Sequence, residues 1–505
     1  NNTLPSIKEH TVVEASSKND VQKLLDLQDK MELAKNPIEQ KRIIAEAARV
    51  PGFGSFVFAS KYLDNALVNK EAALAVTRLA LADLTIKGPI VREALEKALP
   101  LISGVDSAIL ANKLKAHLRK LPYDYGFVNM FNGKDLTGWK GLVGNPIYRA
   151  KQTDSALKVL QAKADAKIIN DWVVKDGMLV FTGHGDNLCT EKKYGDFEMY
   201  VDWKIEKEGD AGIYLRGSPQ VQIWDTALTR VGAQVGSGGL YNNQINPRNP
   251  LKVADNPVNE WNTFRIIMKG ERVTVYLNGE LVVDNAILEN YWDRKIPIFL
   301  KDAIELQAHG NHIVYRNIYV KELKPDAAYV APEADFTTLF DGSSLFNWTG
   351  NTTDYFPLNG ELVIDPKRGG KGNLYTQKEY GDFHLKFDFQ LTPGANNGLG
   401  IRAPLEGDAA YVGMELQILD NTAPMYAKLQ PYQYHGSVYG IIPAKQGFLK
   451  PVGEWNEEEV IAQGNKIKVI LNGEVILDGD IALATKEGTA DHKEHPGLLN
   501  KTDRK

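Results

Sequence analysis

Residues 194–225 read YGDFEMYVDWKIEKEGDAGIYLRGSPQVQIWD. Apolar and polar residues alternate in the segment 197–203, and this period of two predicts a half-buried strand. A Gly-Asp-Ala-Gly break follows, and the chain returns through a second predicted strand at 213–216. The pattern alternates again at 220–225. The whole stretch therefore predicts three consecutive antiparallel strands.

The third of these strands has one polar and one apolar face. Gln220 and Gln222 lie on the same face because side chains two residues apart in a strand point the same way. Val221 and Ile223 share the opposite face. With Arg216 on the neighbouring strand, the glutamine face predicts the floor of a polar pocket.

The stretch occurs twice in the chain. The letters YGDF recur 186 residues later (380 − 194), and the same separation takes Arg216 to Arg402. A separation of 195 (417 − 222) takes Gln222 to Gln417. An offset that drifts slightly while the motifs keep their order indicates a tandem duplication with small differences in loop length.

Composition excludes several classes of protein. A chain of 505 residues predicts about three domains of roughly 150 residues each. A net charge of −5 without a basic patch gives no reason to expect a nucleic acid partner. No apolar run approaches the roughly 20 residues of a transmembrane segment. The single Cys189 excludes an internal disulfide and a cysteine-rich metal site.

The fold class predicted from these patterns is mainly β with an α-helical N-terminal domain. Residues 1–122 show short amphipathic helices, predicted to form antiparallel pairs similar to HEAT repeats and to dock another protein or act as a spacer. Residues 126–324 and 334–505 form two tandem β-sandwich copies. Many short strands without intervening helices predict the jelly-roll type.

The two ends of the chain carry further expectations. The sequence begins Asn-Asn-Thr without Met, so we expect that a preceding segment has been removed. The last predicted strand of copy one, 313–323, would have its counterpart end near about 517 (323 + 194), beyond Lys505. We therefore expect that copy two is truncated at its C-terminus.

Several motifs together resemble the 3-keto-disaccharide hydrolase domain family. They are NMFNGKDLTGW with TLFDGSSLFNW, the YGDF strand, GIYLRGSPQVQIWD, EWN, and ELQAHGNHIVYRNIYVKEL. The resemblance covers residues 127–323 and 336–505 and leaves the helical region outside. It implies a concanavalin-like jelly roll, an extracytoplasmic bacterial protein (periplasmic or anchored to the outer membrane), and a carbohydrate substrate.

The resemblance also implies a reaction on glycosides oxidised to a ketone at C3. Such a ketone acidifies the C2 hydrogen, so a base can remove it and the aglycone can leave from C1, with hydration completing a hydrolysis. The site then needs a general base and a group that stabilises the enolate. A divalent cation could supply the second function, and no other cofactor is expected.

Four side chains are candidates for catalysis. The guanidinium fork of Arg216 or Arg402 suits a ketone or an enolate, although either could pair with a nearby Asp instead. Glu415 gives copy two a carboxylate where copy one has the amide of Gln220, and a carboxylate can act as a base. His309 is a candidate base or ligand, or else a structural residue.

Eight side chains are candidates for substrate binding, on the third strand and the glycine-rich turn that follows it. The alternatives are a solvated strand face for the glutamines, turn caps for the aspartates and core positions for the tyrosines. His184 and His309 are metal candidates if the fold brings them together with a carboxylate. The eight are Gln220, Gln222, Asp225, Tyr241, Gln417, Asp420, Tyr439 and His435.

The leading hypothesis is a glycoside hydrolase or lyase acting on 3-keto sugars. His309 makes copy one the more complete site, while Glu415 favours catalysis in copy two. The alternative is a non-catalytic, lectin-like tandem module that binds carbohydrate, which Gln220 favours for copy one. A scaffold or adhesion unit is a third hypothesis.

Overall fold

The structure, a computed structural model, describes residues 18–104, 107–324 and 335–498. These residues divide into two compact units, the first holding the helices and copy one and the second holding most of copy two. The outer ends of the predicted domains, at residues 1 and 505, lie outside the described residues.

Short helices form the N-terminal region. Asn19 and Asn36 cap the first two, accepting hydrogen bonds of 3.0 Å from the backbone N–H groups of Gln22 and Glu39. Pro37 opens the second helix, where its missing N–H costs nothing. The predicted helical region is confirmed, with helices α1 (Asp20–Leu33), α2 (Pro37–Ala47), α3 (Phe53–Ser60), α4 (Asn69–Ala82), α5 (Pro89–Ala98) and α6 (Ser107–Lys120).

Copy one is a sandwich of two antiparallel sheets. The larger sheet has the order β11-β10-β9-β6-β13-β4-β3, with β1 beside β13, and the smaller has the order β2-β5-β12-β7-β8. The strands are β1 (Val128–Asn129), β2 (Trp139–Gly141), β3 (Trp172–Lys175), β4 (Met178–Phe181), β5 (Leu188–Thr190), β6 (Phe197–Ile205), β7 (Asp210–Leu215), β8 (Ser218–Trp224), β9 (Asn262–Lys269), β10 (Arg272–Leu277), β11 (Glu280–Ile287), β12 (Glu305–Leu306) and β13 (Ile313–Glu322).

The core of copy one lies between the facing sides of the two sheets. Ile213 and Val221 of the smaller sheet and Met199 and Phe264 of the larger sheet are completely buried in one apolar cluster. Val221 lies on the apolar face of β8, as the alternation of the sequence predicted. The predicted jelly-roll type of sandwich is confirmed.

The expectation that no helix interrupts the strands was wrong for copy one. Helices α7 (Pro146–Ala150) and α8 (Asp154–Asp171) lie between β2 and β3. Thr153 caps α8 by accepting a hydrogen bond from the Ala156 N–H at 3.2 Å. The helix was missed because it buries little apolar surface and therefore shows no apolar stripe; Ile168 is its buried residue.

The N-terminal helices cover the outer face of the larger sheet of copy one. The Phe53 ring stacks on Phe127 with centroids 4.1 Å apart, and it contacts Tyr200 and Tyr319 with centroids 5.5 Å away. Arg316 of β13 adds polar contacts to α1. Phe53 thus joins the core of the helices to copy one, while most of their apolar residues pack against one another. Docking of a further protein stays a prediction.

Copy two repeats the two-sheet arrangement. One sheet has the order β18-β21-β22-β23, and β19 pairs with β20. Within residues 335–498, no counterpart of β13 flanks β18. The elements are β14 (Trp348–Gly350), β15 (Tyr355–Leu358), β16 (Glu361–Ile364), β17 (Leu374–Thr376), β18 (Phe383–Gln390), β19 (Asn396–Ile401), α9 (Ala409–Val412), β20 (Met414–Leu419), β21 (Trp455–Gln463), β22 (Lys466–Leu471), β23 (Glu474–Asp480) and α10 (Ile481–Ala484).

None of the helices in the described ranges has the length and apolar character that a bilayer crossing requires.

An arginine joins the two sheets of copy one. Arg216, just after β7, donates from Nε to the Gly195 carbonyl at 2.8 Å and from Nη1 to the Gly270 carbonyl at 2.8 Å. Its Nη2 pairs with Asp196, whose Oδ1 also accepts the Gly270 N–H at 2.9 Å. We call this set the arginine clamp of copy one.

Copy two has the same arginine clamp. Arg402 donates from Nε to the Gly381 carbonyl at 2.8 Å, from Nη1 to the Gly464 carbonyl at 2.6 Å, and from Nη2 to Asp382 at 3.1 Å. Both clamp arginines have φ of +50°, a backbone conformation that needs support from its surroundings.

We expect Arg216→Met to destabilise copy one by about 3–5 kcal/mol, because it leaves two buried carbonyls and a carboxylate without their partner. Urea unfolding with hydrogen exchange on the peptide 197–205 measures the loss. Arg402→Met serves as comparison and should cost less, because Asp382 is 64% exposed and Asp196 is 29% exposed. Equal stability of Arg216→Met and wild type would contradict the role of the clamp.

Candidate active site

The hairpin of β7 and β8 presents a polar face in copy one. Gln220 and Gln222 are both buried, and the Gln220 amide donates to Gln222 Oε1. The Gln222 amide donates to Asp210 Oδ1 at 2.7 Å. Burial raises the pKa of Asp210, while His309 and Gln222 oppose the rise. The predicted glutamine face therefore exists, and it includes a carboxylate that the sequence analysis did not single out.

His309 lies at the exposed edge of this face. Its Nδ1 is 3.7 Å from Asp210 Oδ2, and its side chain is 52% exposed. The structure thus brings together Gln220, Gln222 and His309, three of the residues predicted from sequence, and Asp210 connects them. An imidazole beside a carboxylate can take up and release a proton.

Gly212 lies between the polar side chains and leaves room for them because it has no side chain of its own. A Cβ at this position would lie 2.8 Å from Gln220 Cδ and 3.1 Å from Gln307 Oε1, so a larger residue would displace them. Gln307 Oε1 is buried and has no hydrogen-bond partner among the described residues. An unpaired buried acceptor is suited to a ligand hydroxyl.

A second acid of copy one lies on β12, the strand next to β7 in the smaller sheet. Glu305 pairs in register with Cys189 on one side and Tyr214 on the other. Burial raises the pKa of Glu305 to about 8, with Arg149 opposing the rise, so the carboxyl is mostly protonated at neutral pH. Glu305 opens the motif ELQAHGNHIVYRNIYVKEL, from which only His309 was predicted as a site residue.

Copy two contains a polar pocket of about 260 Å³ at the equivalent place. Three residues predicted from sequence, Glu415, Gln417 and Tyr439, line it together. The remaining lining residues come from β19, from α9 with its capping residue and from the loop after β20, and none of them was predicted. These seven are Asn396, Asp408, Ala410, Tyr411, Tyr426, Leu429 and Gln433.

Glu415 is the acidic group at the floor of the copy-two pocket. Burial raises its pKa to about 7, and the nearby charge of Asp408 adds to the rise. With its amide oriented to satisfy both groups, Gln417 donates to the Asn397 carbonyl at 2.8 Å and to Glu415 Oε1 at 3.0 Å. A Cβ on Gly398 would lie 2.3 Å from Glu415 Oε1, so a larger residue there would displace the carboxylate.

The two arginines predicted for catalysis do not join these residues. Arg216 and Arg402 are engaged in the arginine clamps, where backbone carbonyls and an Asp take up their guanidinium groups. The structural alternative weighed for both arginines, pairing with a nearby Asp, agrees with these contacts.

Asp225 and Asp420 cap turns at the ends of their strands. Asp225 accepts backbone N–H bonds from Glu208 at 2.9 Å and Ala227 at 3.0 Å. Asp420 accepts them from Gly394 at 2.8 Å and Thr422 at 3.0 Å. These contacts agree with the turn-cap alternative.

Tyr241 and Tyr439 follow matching turns but have different surroundings. Tyr241 packs against Trp224 with ring centroids 5.4 Å apart, and Arg248 lies 5.0 Å from its ring. Tyr439 lines the copy-two pocket, and its hydroxyl accepts a hydrogen bond from Gln433 at 3.0 Å.

His435 lies in the core of copy two rather than in the pocket. Its Nε2 is 3.0 Å from Glu458 Oε2, and both side chains are almost completely buried. Copy one has Ser237 at the position of His435 and Phe264 at the position of Glu458. Ser237 Oγ accepts a hydrogen bond from the Trp224 N–H, as His435 Nδ1 does from the Leu419 N–H in copy two. A serine and phenylalanine pair in one core thus corresponds to a histidine and glutamate pair in the other.

A protein-family model matches both β-sandwich copies. The family is described as the 3-keto-alpha-glucoside-1,2-lyase-like domain, and the matches cover residues 126–321 and 335–500, more than half of the chain. The chain belongs to this family. Both lyase-like domains match separately, so the predicted family and tandem copies are confirmed.

Individual relatives are more distant. A 3-keto-disaccharide hydrolase from Bacteroides thetaiotaomicron is 27% identical over 188 residues, which is 32% of this chain. The chain spans 65% of the length of that relative.

Two solved structures are similar to parts of the chain. A candidate glycosyl hydrolase from Parabacteroides distasonis is 23% identical, with a TM-score of 0.30. The match covers 39% of this chain and 95% of the hydrolase chain. The carbohydrate-binding module CBM66 from Bacillus subtilis is 14% identical with a TM-score of 0.21, covering 30% of this chain and 91% of its own.

The divalent cation that the family resemblance suggested would need a set of side-chain ligands near His184 and His309. The loop of His184 adjoins the turn of His309, since a Cβ on Gly183 would lie 3.9 Å from the Gly310 carbonyl. Across residues 18–104, 107–324 and 335–498, however, no cluster of three or more His, Cys, Asp or Glu side chains could hold a metal ion. Within these ranges, His184 and His309 therefore lack the further carboxylate or imidazole ligands that the predicted cation site needs.

We expect His435→Ser to destabilise copy two by about 1–3 kcal/mol, because the buried Glu458 carboxyl loses the polar group beside it. The double variant His435→Ser with Glu458→Phe, which copies the core of copy one, should recover most of the loss. Hydrogen exchange on the peptide 455–463 during urea unfolding measures both variants. A single variant as stable as wild type would contradict the pairing.

We expect Asp408→Asn to lower the pKa of Glu415 from about 7, because the substitution removes one cause of the rise and leaves burial in place. Carbon NMR of the labelled glutamate carboxyl measures the titration. Asp478→Asn is the matched control, since this exposed carboxylate pairs with Lys468 on the other sheet. An unchanged Glu415 titration in Asp408→Asn would contradict the assignment.

Proposed function

We propose that the protein cleaves glycosides oxidised to a ketone at C3, with Glu415 of copy two as the general base. The observation that carries this proposal is the Glu415 carboxyl, with a pKa of about 7, in a pocket of about 260 Å³ lined by tyrosines. A base is most effective when its pKa lies near the working pH. Membership of the family supports the substrate class.

The proposed reaction begins with proton removal from C2, next to the ketone. Glu415 takes this proton, the electron pair of the C2–H bond forms a C2=C3 double bond, and the π pair of the C3 carbonyl moves onto its oxygen to give the enolate. When the enolate collapses, the C3 carbonyl re-forms, the C2=C3 electron pair becomes a C1=C2 double bond, and the C1–O bond breaks. The aglycone oxygen receives the proton from Glu415. Addition of water across the double bond then gives a net hydrolysis.

Copy one supports a second function, carbohydrate binding without catalysis. Gln220 stands where copy two has Glu415, and an amide cannot remove a proton from carbon. The amides of Gln220, Gln222 and Gln307 are suited to the hydroxyl groups of a sugar. The opposing observation is the contact between Asp210 and His309, which offers copy one a base of its own.

We expect Glu415→Gln to abolish aglycone release from a 3-keto-glucoside, because it replaces the base by an amide of the same shape. Mass spectrometry of a 3-keto-glucoside panel measures release. Asp210→Asn is the matched control, since it gives copy one the amide that copy two has at Asn396, and it should retain activity. Activity should also rise with pH through about 7, as Glu415 loses its proton.

Other results would reassign the function. Release that survives in Glu415→Gln but fails in Asp210→Asn and His309→Ala would move catalysis to copy one. Saturable sugar binding without release in wild type would leave a tandem binding module. An extracytoplasmic location in the bacterial envelope remains part of the proposal, and cell fractionation tests it.

A further inference from the structure

The hydroxyl of Tyr411 has an unusual partner in the copy-two pocket. Tyr411 belongs to α9 and lines the pocket together with Glu415. The Nζ of Lys493 donates to the Tyr411 hydroxyl oxygen at 3.0 Å. An ammonium group can only donate, so the tyrosine oxygen accepts and its own O–H remains available to a ligand.

A short segment near residue 495 fixes the position of Tyr411. His495 bonds through Nδ1 to the Ala410 carbonyl at 2.9 Å, and its Nε2 faces the Asp491 carboxylate at 3.0 Å. The buried His495 ring lies against the Tyr411 ring, with centroids 4.8 Å apart. The tyrosine is therefore held before any ligand binds, as a preorganised donor must be.

The other pocket tyrosines are engaged differently. The Tyr426 hydroxyl donates to the Gly394 carbonyl at 3.0 Å, so its hydrogen is already used. The Tyr439 hydroxyl accepts from the neutral amide of Gln433 at 3.0 Å. A hydrogen bond from a charged group is roughly twice as strong as one between neutral groups. The Lys493 cation therefore polarises Tyr411 more than Gln433 polarises Tyr439.

We propose that Tyr411 donates a hydrogen bond to the C3 oxygen of the substrate and stabilises the enolate that forms when Glu415 removes the C2 proton. Lys493 is a positioning residue that acts through the Tyr411 oxygen. This inference rests on the proposed function. No proton is transferred from Tyr411, so the balance of the elimination is unchanged.

The test combines steady-state kinetics with NMR of hydrogen–deuterium exchange at C2 of a 3-keto-glucoside, using the full chain. Tyr411→Phe should lower both kcat and the C2 exchange rate by about 10²–10³, the effect of losing one oxyanion donor. Tyr434→Phe is the matched control outside the pocket lining and should change kcat less than about twofold, because its hydroxyl donates to the Tyr426 carbonyl at 3.0 Å.

Variants of Lys493 separate polarisation from structure. Lys493→Met should lower kcat about tenfold with an unchanged KM, the rate equivalent of one hydrogen bond to a charged group. Lys493→Arg should restore most of kcat because it keeps a charged donor. Lys493 is exposed, so neither substitution should alter unfolding.

The outcomes separate this inference from the function on which it rests. If wild type neither exchanges C2 hydrogen nor releases aglycone, the proposed function fails and this inference fails with it. If Glu415→Gln is inactive while Tyr411→Phe exchanges at the wild-type rate, Tyr411 is overturned and the function stands. A large loss in Tyr439→Phe with none in Tyr411→Phe would assign the enolate donor to Tyr439 instead.

Discussion

The arginine clamp is the contact on which the position of each candidate site depends. In copy one, Arg216 leaves the end of β7 and bonds to the Gly195 and Gly270 carbonyls, which belong to turns of the other sheet. Apolar packing between two sheets is not directional, so it does not by itself determine how they are aligned. Three hydrogen bonds from one rigid guanidinium fork do so. Arg216 lies in the turn between β7 and β8, so the clamp fixes the position of the hairpin that carries the polar residues.

The same framework carries two different arrangements of acid and amide. Copy one has a carboxylate on β7 (Asp210) and an amide on β8 (Gln220), whereas copy two has an amide on β19 (Asn396) and a carboxylate on β20 (Glu415). The glycine between them is present in both copies because the neighbouring side chain fills the space of a Cβ. Duplication therefore preserved the backbone of the site while the position of its acid changed, which is consistent with different tasks for the two copies.

The outer faces of the larger sheets diverged in the same way. Copy one has Tyr200 where copy two has Lys386, and the tyrosine packs under the N-terminal helices through Phe53 and Phe127. In copy two the corresponding face pairs His384 with Glu459 and remains polar. A charged face needs no cover, because water solvates it. The helices thus cover this face of copy one through Phe53, while most of their other apolar residues pack against one another.

The sequence by itself determined the duplication, the strands and the polar face, because periodicity and repeated motifs are local properties of the chain. It also placed Glu415, Gln417 and Tyr439 in one candidate site, since residues on a strand and its following turn stay close in any fold of this type. Helix α8 was missed for want of an apolar stripe. Only the tertiary structure placed Arg216 in a clamp and His435 beside Glu458. It also brought Asp408 and Tyr411 to the pocket and placed Lys493 against the Tyr411 hydroxyl. Those assignments depend on burial and on contacts between distant segments, and a pKa or a hydrogen-bond partner has no counterpart in local spacing.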